Sequence, residues 1–156
     1  MNDRFKFRAW YKPNYREPIM LYDVEQTYDY MNGEPESVPA DCFGVVLDDK
    51  DYIVMQSTGL KDKNGKLIYE GDILKINTWL DKIVPDDFEY RYENEKGFAL
   101  YQIFFNQEKA RFEAKCIKYT KEKPYRCFLL EYVPTNNEVI GNIYTDAHLL
   151  EEYKDE

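Results

Sequence analysis

Two glycine-containing breaks, Asn64-Gly65 and Glu70-Gly71-Asp72, fall within the nineteen residues from Thr58 to Ile76. Asn64-Gly65 is a dipeptide that tight turns favour, because both residues tolerate positive φ. Between the breaks stands a short apolar clamp, Leu67-Ile68-Tyr69. After them the alternating, β-branched Ile73-Leu74-Lys75-Ile76 opens a strand. A turn, a clamp, a second turn and a strand in so short a run commit this part of the chain to β structure.

The remaining sequence repeats the pattern. Arg4 to Tyr11 alternates, with Phe5, Phe7, Ala9 and Tyr11 on one face and Arg4, Lys6, Arg8 and Trp10 on the other, as in a strand with one buried face. Pro13-Asn14 turns the chain towards a hairpin partner at Ile19–Tyr22, and residues 31–41 form a loop. Phe43–Leu47 and Tyr52–Gln56 are expected as two further short strands. Residues 80–96 hold six acids and Pro85 and are expected as a long excursion containing a short element or a binding loop. Phe98–Phe105 and Ala110–Tyr119 form a hairpin around Asn106-Gln107-Glu108-Lys109. In its second strand Phe112, Ala114 and Cys116 share one face, and Arg111, Glu113, Lys115 and Ile117 the other. A turn at Lys121–Pro124, a strand at Cys127–Val133 and a turn at Pro134–Asn137 follow. Val139–Tyr144 is the last strand, and Thr145 or Asp146 caps a terminal helix with Leu149, Leu150 and Tyr153. The fold class is mainly β with a short C-terminal helix, and closing the strands into a small β-barrel removes exposed edges.

Charge is distributed unevenly. Residues 17–51 hold ten acids against Lys50 and so carry the chain's entire net charge of −9. Lys109–Arg126 holds seven bases against Glu113 and Glu122. One reading makes the acidic residues solubilising loops and the bases a solvated strand face. A sharper one has acidic and basic surfaces meeting, within the molecule or between subunits. Lys109, Arg111, Lys115, Lys118 and Tyr125 then form an interaction surface, and Tyr22, Tyr28, Tyr30 and Tyr52 amid acids suit another. Nucleic acid is disfavoured as a partner by the acidic total.

The inventory of reactive groups is thin. His148 is the single histidine, which argues against a histidine-based triad or a multi-histidine metal site. Cys42, Cys116 and Cys127 show no metal-type spacing and read as apolar residues of a reducing compartment. Glu70 and Asp72, with Asp62 near in sequence, are carboxylates in a patterned context, but no phosphate loop or nucleophile elbow accompanies them. They read more simply as turn-closing residues. No cofactor is called for, and a non-enzyme is expected. No apolar run reaches the roughly 20 residues of a membrane helix, and the first residues lack a signal-peptide core, so a cytoplasmic location is expected.

Three patches together resemble the phage-encoded YopX family. They are Lys6-Phe7-Arg8-Ala9-Trp10 with Met20 beyond a turn; Met55 to Lys66 running on through Ile68-Tyr69-Glu70-Gly71-Asp72-Ile73; and Val139 to Tyr144 before the terminal helix. The carried-over signature comprises Thr58, Gly59, Leu60, Asp62, Asn64, Gly65, Tyr69, Glu70, Gly71, Asp72, Gly141, Asn142 and Tyr144. The resemblance implies a phage or prophage origin, a host-cell cytoplasmic setting, and a β-rich part over residues 1–56. An SH3-like barrel follows over 57–156, with the acidic insertion 80–96. It implies no activity. The expected function is an interaction or regulatory module acting on a host or phage protein or on further copies of itself. The alternatives are a nucleic-acid-associated factor, by direct binding or DNA mimicry, and a metal-dependent hydrolase centred on Glu70 and Asp72.

Overall fold

A computed structural model describes residues 3–24, 43–85, 90–120, 127–129 and 136–151. The fold is mainly β. The strands are β1 (Phe7–Tyr11), β2 (Ile19–Tyr22), β3 (Tyr52–Lys61), β4 (Leu67–Tyr69), β5 (Asp72–Pro85), β6 (Tyr90–Asn106), β7 (Arg111–Tyr119), β8 (Cys127–Leu129) and β9 (Asn137–Asn142). Two short α-helices, α1 (Phe43–Asp48) and α2 (His148–Glu151), and a 3-10 turn at Asp3–Phe5 complete the described elements. The chain divides into two compact units, one of Met1–Lys61 with Leu67–Glu70 and the other of Asp62–Lys66 with Gly71–Glu156. Among the described residues, no helix is long and apolar enough to cross a membrane.

The first unit holds an antiparallel sheet in the order β2-β1-β3-β4. Its core joins Ala9, Tyr11, Val24, Val46 and Tyr52, with Phe7, Leu21, Phe43 and Val54 packed around them. Tyr11 stacks on Tyr52 at 4.4 Å between ring centroids, and Phe7 meets Phe43 at 4.9 Å. These contacts explain why residues 43–47 form a helix where strand propensity predicted otherwise. One helical turn carries both Phe43 and Val46 to the sheet, and burying such side chains stabilises by about 1.5–3 kcal/mol each. Packing thereby overrides the preference of Val45 and Val46 for strands. Phe5 is likewise not part of the strand: it lies in the 3-10 turn and is 61 % exposed.

Strand β3 runs on to Lys61, with a register shift between Ser57 and Lys61. Gly59, at φ +80°, lies in that irregular stretch, and a β-carbon there would sit 2.4 Å from Arg4 Cγ.

The second unit is built on a sheet ordered β8-β7-β6-β5-β9, antiparallel throughout. Leu74, Ile76, Ala99, Tyr101, Ile103 and Ala114 are buried along one of its faces. Residues 80–85 and 90–96 are paired strand rather than a loop excursion. The pairing of β5 with β6 continues from Ile73↔Gln102 to Pro85↔Tyr90, so these described residues of the acidic insertion form the outer part of one long antiparallel pair. The Asn106–Lys109 turn lies where the sequence placed it, and the final strand runs over Asn137–Asn142, two residues earlier than the expected Val139–Tyr144. Tyr28, Tyr30, Tyr125, Tyr153, the 31–41 loop, the 121–124 turn and the strand residues 130–133 fall outside the described residues.

Candidate interaction face

The Asp62–Lys66 turn shows what the signature residues do. Gly65 N–H donates to Asp62 O at 2.9 Å, and Asp62 N–H donates to Lys66 O at 2.8 Å. Gly65 alone adopts positive φ, at +82°, while Asn64 keeps a negative φ. The geometry is a tight turn closed by a left-handed glycine rather than one with two left-handed residues. The Asp62 carboxylate organises it: Oδ1 accepts from Asn64 N (2.8 Å) and Lys66 N (2.9 Å), and Oδ2 accepts from Val139 N in β9 (3.1 Å). Asp62 is only 6 % exposed. Burial pushes its pKa up, but the three backbone N–H groups outweigh that and leave it below the usual value.

Other signature residues play comparable parts. Thr58 Oγ1 donates to Ile68 O at 2.9 Å, clamping β3 to β4. Arg8, 2 % exposed rather than on a solvated basic face, donates from Nη2 to Glu70 O at 3.0 Å and lies 4.8 Å above the Tyr69 ring. Gly71, at φ +80°, donates to Ile103 O and accepts from Ile143 N. Asp72 is buried at the start of β5, opposite Asn142. Asn142 Oδ1 accepts from the amides of Tyr144 and Thr145, and Asp146 Oδ2 accepts from Asn142 N at 3.0 Å. Asp146 therefore turns back towards β9 instead of capping α2. Gly141 makes room for it, since a β-carbon there would come within 2.7 Å of Asp146 Cγ. Among the described residues no cluster of three His, Cys, Asp or Glu is placed to hold a metal ion.

The basic residues are brought together differently from the sequence expectation. Lys109 and Arg111 converge on Glu113, which is 4 % exposed: Lys109 Nζ lies 3.1 Å and Arg111 Nη2 2.7 Å from Oε1, and Asn106 Nδ2 donates to Oε2 at 3.1 Å. The Asn106 hydrogen bond, then that of Arg111, and finally Lys109 hold the Glu113 carboxyl down at about 2, against the opposing effect of burial. These two bases close the β6–β7 turn.

Lys118 is redirected. Strict alternation along β7 would set it on the face of Ala114 and Cys116. A register shift between Leu100 and Tyr101 inserts an extra residue, so that Lys118 pairs with Leu100 while Lys115 pairs with Gln102. Both lysines then share a face with Lys75, which pairs with Leu100 from the other side. The outcome is a cross-strand row, Lys75–Leu100–Lys118, beside Phe98. Lys75 Nζ lies 5.0 Å and Lys118 Nζ 5.2 Å from the Phe98 ring centroid. Each such cation–π contact is worth about 0.5–1 kcal/mol at an exposed site. Lys75 and Phe98 were missed in the sequence because their relation to Lys118 depends on pairing and on the bulge. The lone charge of Lys75 among Ile73, Leu74 and Ile76 was the one signal that set it apart from its strand's core residues. Of the tyrosines read as a surface, Tyr22 is exposed, whereas Tyr52 is buried in the first unit's core.

A family model described as "YopX protein" matches residues 6–151. No curated protein matches the chain. Among solved structures, the chain is similar to protein EF1440 from Enterococcus faecalis, with 28% identity over 93% of this chain and 96% of that one, at a TM-score of 0.46.

Proposed function

The chain belongs to the YopX protein family, and we propose that it works as a non-enzymatic interaction module that holds a partner on the β5–β6–β7 face. The observation that carries this reading is the use made of the signature carboxylate Asp62, whose two oxygens accept three backbone N–H groups. A carboxylate so engaged frames a turn and has little capacity left for proton transfer or metal binding. The β5–β6–β7 face instead carries Lys75, Phe98, Lys115 and Lys118 beside Leu100 and Gln102, a grouping suited to recognition. The same reading takes the second unit as an SH3-like barrel and the protein as phage-encoded and cytoplasmic. The thiol of Cys116, half-buried and donating to Lys118 O at 3.4 Å, is in keeping with a reducing setting.

The test is capture from host-cell lysate on the immobilised protein, comparing wild type with Lys115→Glu/Lys118→Glu at matched melting temperature. A partner retained by wild type and lost by the variant supports the module. Equal retention by both, or no retention by either, refutes it, as does a turnover activity abolished by Asp72→Asn without a change in melting.

A further inference from the structure

We infer that the outer part of β6 pairs edge to edge with β6 of a second copy of this chain, antiparallel and centred on Tyr92, so that two β5–β6 ribbons join into one sheet. This interface lies along a strand edge and is independent of the partner proposed for the β5–β6–β7 face.

The backbone of β6 shows which groups line that edge. Thr120 N–H donates to Phe98 O at 3.0 Å, and Phe98 N–H donates to Thr120 Oγ1 at 2.9 Å. Both polar backbone groups of Phe98 therefore point to the β7 side. Ile103, an odd number of positions on, turns its carbonyl the other way and accepts from Gly71 N, just before β5. Successive residues of a strand alternate in this respect. β5 and β6 pair without a register shift from Ile73↔Gln102 to Pro85↔Tyr90, so the alternation carries outward unbroken. The N–H and C=O groups of Tyr90, Tyr92, Asn94 and Lys96 then line the same edge as those of Phe98. β7 ends at Tyr119, opposite Ala99, and among the described residues no strand takes up this edge beyond it. A row of such groups is a template for another strand.

Charge selects a second copy as that strand. Directly opposite residues of an antiparallel pair share a face, so two copies related by a two-fold axis meet with one residue opposite itself. Centring on Arg91, Glu93, Glu95 or Lys96 opposes identical charges, and centring on Asn94 opposes Glu93 to Glu95. Centring on Tyr92 opposes Tyr92 to Tyr92, Tyr90 to Asn94, and Arg91 to Glu93 on both sides of the axis. Tyr90, Tyr92 and Asn94 are then the hydrogen-bonded positions. The two Arg91–Glu93 pairs fall between them, where Cα atoms approach to about 4.5 Å. On the β5 side Lys82 stands opposite Glu93 and Val84 opposite Arg91. Each row across the joined sheet reads Val84, Arg91, Glu93, Lys82, with the acid between two bases. Opposite charges directly across a ladder stabilise it, and like charges destabilise it. The outer edge of β5 has no equivalent register. Its charges, Asp81 and Lys82, are adjacent in sequence and so never meet across a two-fold, and Pro85 lacks the N–H.

The experiment is analytical ultracentrifugation of the full chain. Wild type is expected as a concentration-dependent dimer. Arg91→Glu and Glu93→Arg each oppose like charges and should raise the dimer dissociation constant about tenfold or more. Mixing the two variants opposes Glu to Arg at both positions, so the mixture should dimerise more tightly than either variant alone. Tyr92→Pro removes an N–H that points out of the ribbon, so it should weaken the dimer while keeping the β5–β6 ladder. Melting curves check that each variant folds. Lys115→Glu/Lys118→Glu should leave the dimer unchanged, so this proposal and the face reading can fail separately. A monomeric wild type overturns the proposal. So does a dimer that persists equally in Tyr92→Pro or in both charge reversals, or a mixture no tighter than its components.

Discussion

Replacing Asp62 tests how the signature acts, because one carboxylate joins the turn at residues 62–66 to β9, far along the chain. Asp62→Ala removes three charge-assisted hydrogen bonds at once. The amides of Asn64 and Lys66 belong to exposed residues, so water replaces the lost oxygen there at about 0.5 kcal/mol each. The bond from the Val139 amide is buried, and leaving that group unsatisfied costs about 2 kcal/mol. The sum, about 3 kcal/mol, corresponds to a fall in Tm of about 6–12 °C. Asp62→Asn keeps one oxygen for the turn but sets an amide N–H against that of Val139, so about 2 kcal/mol is expected. Thermal melting followed by circular dichroism reads both variants. The pH dependence supplies a sign. Because the folded-state pKa of Asp62 is depressed, its contribution is fully present above the ordinary value of 3.8 and is lost as pH falls through the lower folded-state value. The gap between wild type and Asp62→Asn should therefore be widest near neutrality and narrow in acid. A Tm change below about 2 °C for Asp62→Ala, or a gap that widens on acidification, would refute the account.

Glu113 should titrate near 2 rather than 4.5 in a carboxyl-detected NMR experiment, so its stabilising contribution is complete above 4.5 and disappears as pH approaches 2; Glu113→Gln should flatten that part of the stability profile, and a midpoint near 4.5 would show the Asn106–Lys109–Arg111 cluster to be loose in solution. Gly65→Ala should cost about 1 kcal/mol in chemical denaturation for its left-handed backbone alone, since nothing lies within 4 Å of the added β-carbon. Gly59→Ala, with a similar φ and Arg4 Cγ at 2.4 Å, should cost clearly more, and the reverse order would contradict the packing described for β3.

The parts of the fold legible in the sequence were those encoded by neighbours. The β1–β2 hairpin, the Asn106–Lys109 turn and the last strand follow from alternation and turn residues within a few positions. What stayed hidden depends on distant partners. Arg8 is buried because Glu70 and Tyr69 lie 62 and 61 positions away and receive its guanidinium. Residues 43–47 carry strand-forming valines, yet the aromatic ring of Phe7 and the core around Tyr52 select a helical turn. The candidate face was half visible: Lys115 and Lys118 stood out by composition, but their placement on one face results from a bulge that alternation cannot foresee. Acidic residues and Pro85 disguised the outer hairpin, because propensity weighs single residues while a ladder of paired amides is what holds two strands together.

That outer hairpin has a consequence for how such a chain changes over generations. From Thr78↔Gly97 to Pro85↔Tyr90 no third strand flanks the pair among the described residues, whereas β7 and β9 engage only its base. Side chains alternate faces with a period of two, so removing Asp81 and Lys82 together with their partners Asn94 and Glu93 returns every remaining pair to its former side. The ribbon can grow or shrink in such steps while the base keeps its register. Length, elsewhere fixed by the two sheets, is here the dimension in which this architecture is free to vary.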